Sequence, residues 1–217
     1  LIVRITPAML PMALTDSAVE LWICAIWEEI SSVALAETSP QPLAPEAKAL
    51  QDGVTIEMIA EHPAVVTPTG IDVDAQGRVW LVASHTHETP EGYPGPDKDE
   101  VLVFAPDGTR TVFYNATAQT MDLELGPDGW VYLAERGRIL RIRDTDGDGK
   151  ADREETVVQL ESEERYPHNG MAGLAWHPDG DLVFGLGENF AKPWTMKGSD
   201  GSSRAGRAEG GIFRCAS

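Results

Sequence analysis

The sequence predicts an all-β chain folded as part of a β-propeller, and three observations carry that expectation. First, one segment occurs three times: Gly70-Ile-Asp-Val-Asp-Ala-Gln-Gly-Arg-Val-Trp-Leu81, Asp122-Leu-Glu-Leu-Gly-Pro-Asp-Gly-Trp-Val-Tyr-Leu133 and Gly173-Leu-Ala-Trp-His-Pro-Asp-Gly-Asp-Leu-Val-Phe184. Second, the turn glycines Gly77, Gly129 and Gly180 are spaced by 52 and 51 residues. Third, each copy reads strand, tight turn, strand, with an aromatic residue after the turn at the same or the next position (Trp80, Tyr132, Phe184). A strand-rich repeat of this length is the size of a propeller blade.

Residues 1–50 read as a leader and linker. The apolar run 21–27 is interrupted by Glu28 and Glu29, and no run is long enough to span a bilayer. Ala34-Leu-Ala36 resembles a small-x-small cleavage site, so the segment is a candidate signal region. The Pro/Ala/Glu-rich stretch 37–50 comes next as a flexible linker. Residues 51–217 form the propeller portion. A strand at 54–60 precedes the first blade, in the place where a ring-closing strand is expected.

Blade one takes strands at 70–74, 79–83, 100–105 and 109–114, with Pro106-Asp-Gly108 as its last hairpin turn. Blade two takes 121–125, 130–134, 138–143 and 155–160. Blade three takes 172–176, 181–186 and 211–215 and lacks a fourth strand. Three blades do not close a ring, since propellers have about four to eight. The chain therefore reads as an N-terminal fragment, about half of a six-bladed ring.

The chain carries 35 acidic against 17 basic residues, a net charge of −18. Nucleic acid and anionic membrane surfaces are disfavoured partners, because like charges repel. Cys24 and Cys215 provide neither a disulfide framework nor a zinc spacing, and no Cys-x-x-Cys-His haem motif is present.

The sharpest chemical motif is Asp144-Thr-Asp-Gly-Asp-Gly-Lys-Ala-Asp-Arg-Glu-Glu155. Carboxylates fall at loop positions one, three, five, nine and twelve (Asp144, Asp146, Asp148, Asp152, Glu155). Gly149 stands where the chain must turn, and the Lys150 carbonyl falls at position seven. That is calcium-loop spacing. The flanks read as strands, so the ion would act as a structural clamp rather than a sensor. A solvated acidic turn is the plain alternative.

In a four-stranded blade the second-to-third loops and the blade-to-blade links share one face. These segments (84–99, 115–120, 161–170 and 188–210) gather His85, His87, Glu88, Gln119, His168, Asn169, Glu188, Asn189, Lys192 and Arg204 as candidates for a small-molecule site. His168, just before an innermost strand, is the candidate general base. Its alternative is a histidine that fixes its loop. His85 and His87 could share a face and hold a metal, or simply pack their loop.

The stretch 63–217 resembles the propeller of soluble quinoprotein glucose/sorbosone dehydrogenases. It looks closest to large bacterial membrane-bound-dehydrogenase proteins typical of planctomycetes. The resemblance rests on Thr67-Pro-Thr-Gly-Ile-Asp-Val-Asp74, Ser84-His-Thr-His87, Leu133-Ala-Glu-Arg-Gly-Arg-Ile-Leu140, the Asp144 loop, His168-Asn-Gly170 and Trp176-His-Pro-Asp-Gly180. It implies a six-bladed propeller, export to the periplasm or beyond the cell, and oxidation of a sugar alcohol or aldose with pyrroloquinoline quinone (PQQ). It also implies a cytochrome region elsewhere in the complete protein. His168 would take the substrate hydroxyl proton, or, if blades are counted from the start, contact the cofactor. Asn169, Gln119 and Arg136 would bind the cofactor, and His85, His87, Glu188 and Asn189 the substrate. A non-catalytic propeller that recognises carbohydrate or protein, and a calcium-dependent lactonase-like hydrolase, stand as the other two readings.

Overall fold

The structure, a computed structural model, describes residues 2–7, 49–163, 169–188 and 190–216. It divides into two compact units, Leu1–Ala60 and Glu61–Ser217. In the first, β1 (Ile2–Pro7) pairs antiparallel with β2 (Val54–Ala60). The sequence assigns residues 1–50 wholly to leader and linker, and β1 corrects that assignment. Its signal is the β-branched run Ile2, Val3, Ile5 and Thr6. The candidate cleavage site and Cys24 lie outside the described residues. Among the described residues, no helix is long and apolar enough to cross a membrane.

The second unit is a partial β-propeller. Blade one is β3 (Pro68–Val73), β4 (Val79–Ala83), β5 (Asp99–Phe104) and β6 (Arg110–Thr117), antiparallel in chain order. Blade two continues with β7 (Thr120–Leu125), β8 (Val131–Glu135), β9 (Arg138–Arg143) and β10 (Arg153–Ser162). Blade three consists of β11 (Met171–Trp176), β12 (Leu182–Leu186) and β15 (Gly211–Cys215).

The repeat is visible in the hydrogen bonds. The carbonyls of Thr67, Gln119 and Gly170 accept from the amides of Ser84, Arg136 and Gly187. The turns close by Gly77, Gly129 and Gly180 amides donating to Asp74, Gly126 and His177 carbonyls. These three glycines have φ of 75°, 79° and 92°, a region that side chains with a Cβ rarely enter.

Strand alternation explains how the blades stack. On blade one, Trp80, Val82, Val101, Val103 and Phe113 meet Leu123, Val131, Leu133, Leu140 and Ile142 of blade two. The other face of blade two, with Tyr132, Ala134 and Ile139, meets Leu174, Leu182, Phe184 and Leu186 of blade three. Strands β4 and β8 are buried along their whole length, so they read as continuous apolar runs. The repeated aromatics each find a ring partner: Trp80 with Phe113 at 4.8 Å, Tyr132 with Trp176 at 5.0 Å, and Phe184 with Phe213 at 5.7 Å.

One expectation fails. The segment 188–210 is not a plain loop. It holds a hairpin, β13 (Trp194–Gly198) and β14 (Ser203–Gly206), and β13 pairs with the outer strand of blade two. Blade two is thereby a six-stranded sheet, in the order β14-β13-β10-β9-β8-β7. Trp194 and Met196 bury their side chains in the core between blades two and three. Gly206 lies against the Trp194 indole, where any Cβ would collide.

Innermost strands are joined by carboxylates. Asp72 Oδ1 accepts from the Val73 amide and Oδ2 from the Leu125 amide of the next blade, at 2.6 and 2.9 Å. Asp122 repeats the arrangement with Leu123 and, in blade three, Leu174, at 2.8 and 2.6 Å. Gly70 allows the close approach, since a Cβ there would strike the backbone of Asp122 and Leu123. Burial pushes the Asp122 carboxyl up to about 6, against the pull of the amides of Leu174, Leu123 and Gly173, with the nearby Asp72 charge adding to the rise.

Between the unfolded value of 3.8 and about 6, the folded protein keeps a proton that the unfolded chain has lost. Stability should therefore fall as pH rises from about 4 to 6, by about 3 kcal/mol in total. Thermal melts of the wild type and Asp122→Asn across this window check the effect: the variant's profile should lack this component, and parallel profiles would refute it.

Candidate functional site

The acidic loop connects β9 to β10. Asp144 accepts from the amides of Gly147 (2.7 Å) and Gly149 (2.8 Å), so one carboxylate winds the loop around itself. These two donors hold its carboxyl below the usual aspartate range. Gly147 and Gly149 take φ of 82° and 86°, which explains both glycines of the motif. Asp146 accepts from the Asp148 amide at 3.1 Å, and Asp148 from the Lys150 amide at 2.8 Å. Oxygen atoms of Asp144, Asp146 and Asp148 lie within 4.8 Å of one another.

The remaining predicted ligands are employed otherwise. Asp152 accepts from the Thr145 hydroxyl (2.6 Å) and amide (2.9 Å), closing the base of the loop and lowering its own carboxyl pKa. Glu155 does not join the cluster. It pairs with Arg141 at 2.6 Å and Arg153 at 2.6 Å, which hold its carboxyl low. The physical reason is the exit element. β10 starts at Arg153, and a strand advances about 3.3 Å per residue, so position twelve is carried away instead of curling back. The register sets Glu155 opposite Arg141.

Three guanidinium groups surround the Trp130 ring at this base: Arg141 at 4.6 Å, Arg153 at 5.3 Å and Arg143 at 5.9 Å. The loop also reaches blade one, where the Ala151 amide donates to the Phe113 carbonyl at 2.8 Å. Asp144 and Asp148 line one wall of a cleft of about 730 Å³ whose other walls include Trp80, Phe113 and Trp130.

On the opposite face the predicted residues divide. Gln119 is exposed, with φ of 51°, and its amide donates to Thr86 Oγ1 at 2.6 Å. Its carbonyl accepts from the Arg136 amide at 3.0 Å, and the Arg136 carbonyl from the Met171 amide at 3.2 Å. Gly170 rests on Arg136, where a Cβ would collide with its backbone, and Asn169 beside it is buried. Gln119 and Arg136 therefore lie side by side in blade two, and Arg136 is joined to blade three beside Asn169. His87 is half-buried and Glu188 exposed. His168 and Asn189 lie outside the described residues. His85 turns inward: its Nδ1 is 2.6 Å from the Tyr93 hydroxyl, and the ring is buried. Glu88, Lys192 and Arg204 are exposed.

Two structural carboxylates are not apparent in the sequence. Asp99, fully buried at the start of β5, accepts from the His85 amide (2.7 Å), the Thr86 amide (2.8 Å), the Thr86 hydroxyl (2.9 Å) and the Thr120 amide (2.8 Å). Glu135 accepts from Thr117 Oγ1 at 2.7 Å and from Arg138 at 2.5 Å, while Arg138 also holds Glu154 at 2.6 Å. Tyr114 donates to Glu154, and burial followed by that carboxylate raises its phenol pKa. In the sequence Asp99 is one of three acids, with Asp97 and Glu100, in front of the apolar run 101–104, and nothing local marks it as the buried one.

Antiparallel sheets that each run in chain order from a repeated inner hairpin, with loops sorted to two faces, define a β-propeller protein. The chain belongs to the family described as a domain of unknown function, DUF7133, whose model matches residues 44–215. No curated protein matches it. Among solved structures it is similar to virginiamycin B lyase from Staphylococcus aureus, with 23% identity, TM-score 0.39 and coverage of 64% of this chain and 41% of that one. It is also similar to a candidate gluconolactonase, with 18% identity, TM-score 0.47 and coverage of 73% and 55%. The inactive H270A form of the same lyase with quinupristin gives 23%, 0.41, 68% and 43%. The chain thus spans about half the length of these structures.

Removing the Asp99 carboxylate leaves buried amides at His85 and Thr120 without an acceptor. Asp99→Ala should cost about 3 kcal/mol or more, read as a lower urea midpoint at unchanged slope. A midpoint within error of wild type would contradict the assignment.

Proposed function

We propose that this chain is the propeller portion of a PQQ-dependent dehydrogenase acting on the CH–OH group of a sugar or polyol, in a periplasmic or secreted protein. The observation that carries the reading is the neighbourhood of Gln119, Arg136 and Asn169 on one face: Gln119 and Arg136 are hydrogen-bonded within blade two, and the Arg136 carbonyl accepts from Met171 of blade three, two residues after Asn169. A guanidinium and two amides are the donor set that an anionic quinone needs along one edge. PQQ, when bound, accepts hydride from the alcohol carbon. His168, adjacent to Asn169 in sequence, would remove the hydroxyl proton as a general base. Substrate contacts would come from His87, Glu188 and Asn189.

The test is a titration of the complete protein with PQQ in calcium buffer, followed by addition of aldoses while quinone absorbance is recorded. Saturable binding and sugar-dependent reduction are expected. His168→Ala should lower turnover by about 10²–10⁴ and leave the melting temperature unchanged. Absence of quinone binding would transfer the function to recognition of a carbohydrate or protein by the same face.

We also propose that the Asp144 loop holds calcium as a clamp between blades one and two. Support comes from the convergence of Asp144, Asp146 and Asp148, together with the Ala151–Phe113 hydrogen bond. Calcium at about a hundred times its dissociation constant would add about 2.7 kcal/mol, seen as a rise in melting temperature that a chelator reverses. Asp144→Asn and Asp148→Asn should abolish the rise. Glu155→Gln should retain it, because Glu155 is committed to arginines. Equal melts with calcium and with chelator would overturn the clamp.

A further inference from the structure

We propose that Thr67 and Glu88 are specificity-determining contacts on the loop face, holding hydroxyl groups of the sugar or polyol substrate. The inference rests on the dehydrogenase reading for the identity of that substrate, and it adds two residues to the site. Three described residues other than glycine have positive φ: Thr67 at 37°, Glu88 at 48° and Gln119 at 51°. All three belong to the loop face. Thr67 stands immediately before β3 and Gln119 immediately before β7, the innermost strands of blades one and two, and Glu88 lies in the β4–β5 loop. Among the described residues of this face, only Gly92 adds a glycine to them.

The opposite face follows another rule. In the β3–β4, β5–β6, β7–β8, β9–β10 and β11–β12 turns, every described residue with positive φ is a glycine. Glycine enters this region without steric cost, whereas a Cβ crowds the backbone, most of all in a β-branched residue such as threonine. The chain thus places glycine where only the turn matters and keeps strained side chains on one face. Strained backbone persists where its surroundings over-determine it, and it concentrates where side chains must meet a ligand. Here the surroundings are the segment 84–89. Thr67 and Gln119 are separated by the 52-residue repeat step, and their carbonyls accept equivalent amides, Ser84 at 3.1 Å and Arg136 at 3.0 Å. The Gln119 amide donates to Thr86 Oγ1 at 2.6 Å. The buried Asp99 carboxylate holds the amides of His85 and Thr86. Thr89 Oγ1 donates to the His85 carbonyl at 2.9 Å, bracketing Glu88.

Gln119 already belongs to the proposed cofactor contacts. Thr67 is its counterpart one blade earlier, and Glu88 is joined to both through the segment that carries Thr86. All three are exposed. The chemistry of Thr67 and Glu88 selects the part of the ligand they meet. The threonine hydroxyl both donates and accepts, and the glutamate carboxylate accepts from hydroxyl groups through two oxygens. The Glu88 charge repels the carboxylates of an anionic quinone. The pair therefore suits the hydroxyls of a neutral substrate, at the edge of the site and not at the cofactor.

The experiment titrates the complete protein calorimetrically with methyl α-D-glucopyranoside and with myo-inositol. No quinone is present, so the heats report the sugar contacts alone; a separate PQQ titration of the wild type reads the dehydrogenase reading independently. Thr67→Gly and Glu88→Gly relieve the strain and should melt at or above the wild-type temperature, Thr67→Gly by about 2 °C. Affinity for the polyol should nonetheless fall about tenfold in each. Thr67→Ala and Glu88→Ala keep the Cβ and its strain, so they should lose the same affinity with no gain in melting temperature. Unchanged affinity in both glycine variants would overturn the assignment. So would a clear drop in their melting temperature, because the fold itself would then need these side chains. Absence of saturable binding of either polyol to the wild type would overturn it as well.

Discussion

Neighbouring blades of this protein touch through side chains, and the inner strands of adjacent sheets would leave amides facing one another without acceptors. Aspartate carboxylates, half-buried at Asp72 and buried at Asp122, resolve that difficulty, and much else depends on them. Asp72 and Asp122 each take one amide from their own strand and one from the next blade. A carboxylate suits the task because each of its two oxygens takes a separate amide, whereas a carbonyl or hydroxyl would have to share one atom between them. The raised Asp122 pKa shows that the arrangement is bought with desolvation. Asp99 and Glu135 repeat the solution at the loop face, where Thr117 and Thr120, linked at 2.6 Å, stand between them. Part of the acidity that looks like a surface property in composition is therefore internal framework.

The acidic loop shows how a motif's chemistry depends on the element into which it leads. Its first nine positions wind as the spacing requires, with Asp144 accepting two glycine amides. The twelfth residue is captured by the sheet, because β10 begins before it and Arg141 lies across from it. The cluster is thus three carboxylates on a rigid hairpin. Its stiffness comes from the Trp130 and arginine stack beneath it and from the hydrogen bond to blade one.

The blades were legible because three signals coincide: a repeat of 52 and 51 residues, Asp-Gly or Gln-Gly turns, and aromatics in register. Observed strands match the expected ones to within a few residues at each end. β13 and β14 were not legible as strands, since the hairpin is short and rich in Gly and Ser. Only Trp194, Met196 and the Asp200-Gly201 turn hinted at it. Of the candidate site, spacing marks the acidic cluster and strand order puts Gln119 and Asn169 among the loop-face candidates, while Arg136 enters only through the family resemblance. The roles of Asp99, Asp122 and His85 could not, because a single acid or histidine has the same letter whether it faces water or accepts a neighbour's amide. Long-range pairing decides that, and no local pattern encodes it.

The hairpin 194–206 has a consequence for how the blades come into being. Two outer strands of the second sheet come from a segment inserted between the second and third strands of the third sheet. The second sheet cannot finish before the third has begun, so the blades interlock in time as well as in space. Pairing Leu160 with Met196 closes a loop that contains the innermost hairpin of blade three. Such non-local closure slows folding relative to a chain of independent sheets, and it leaves no point between these two blades where the polypeptide could be divided into self-sufficient modules.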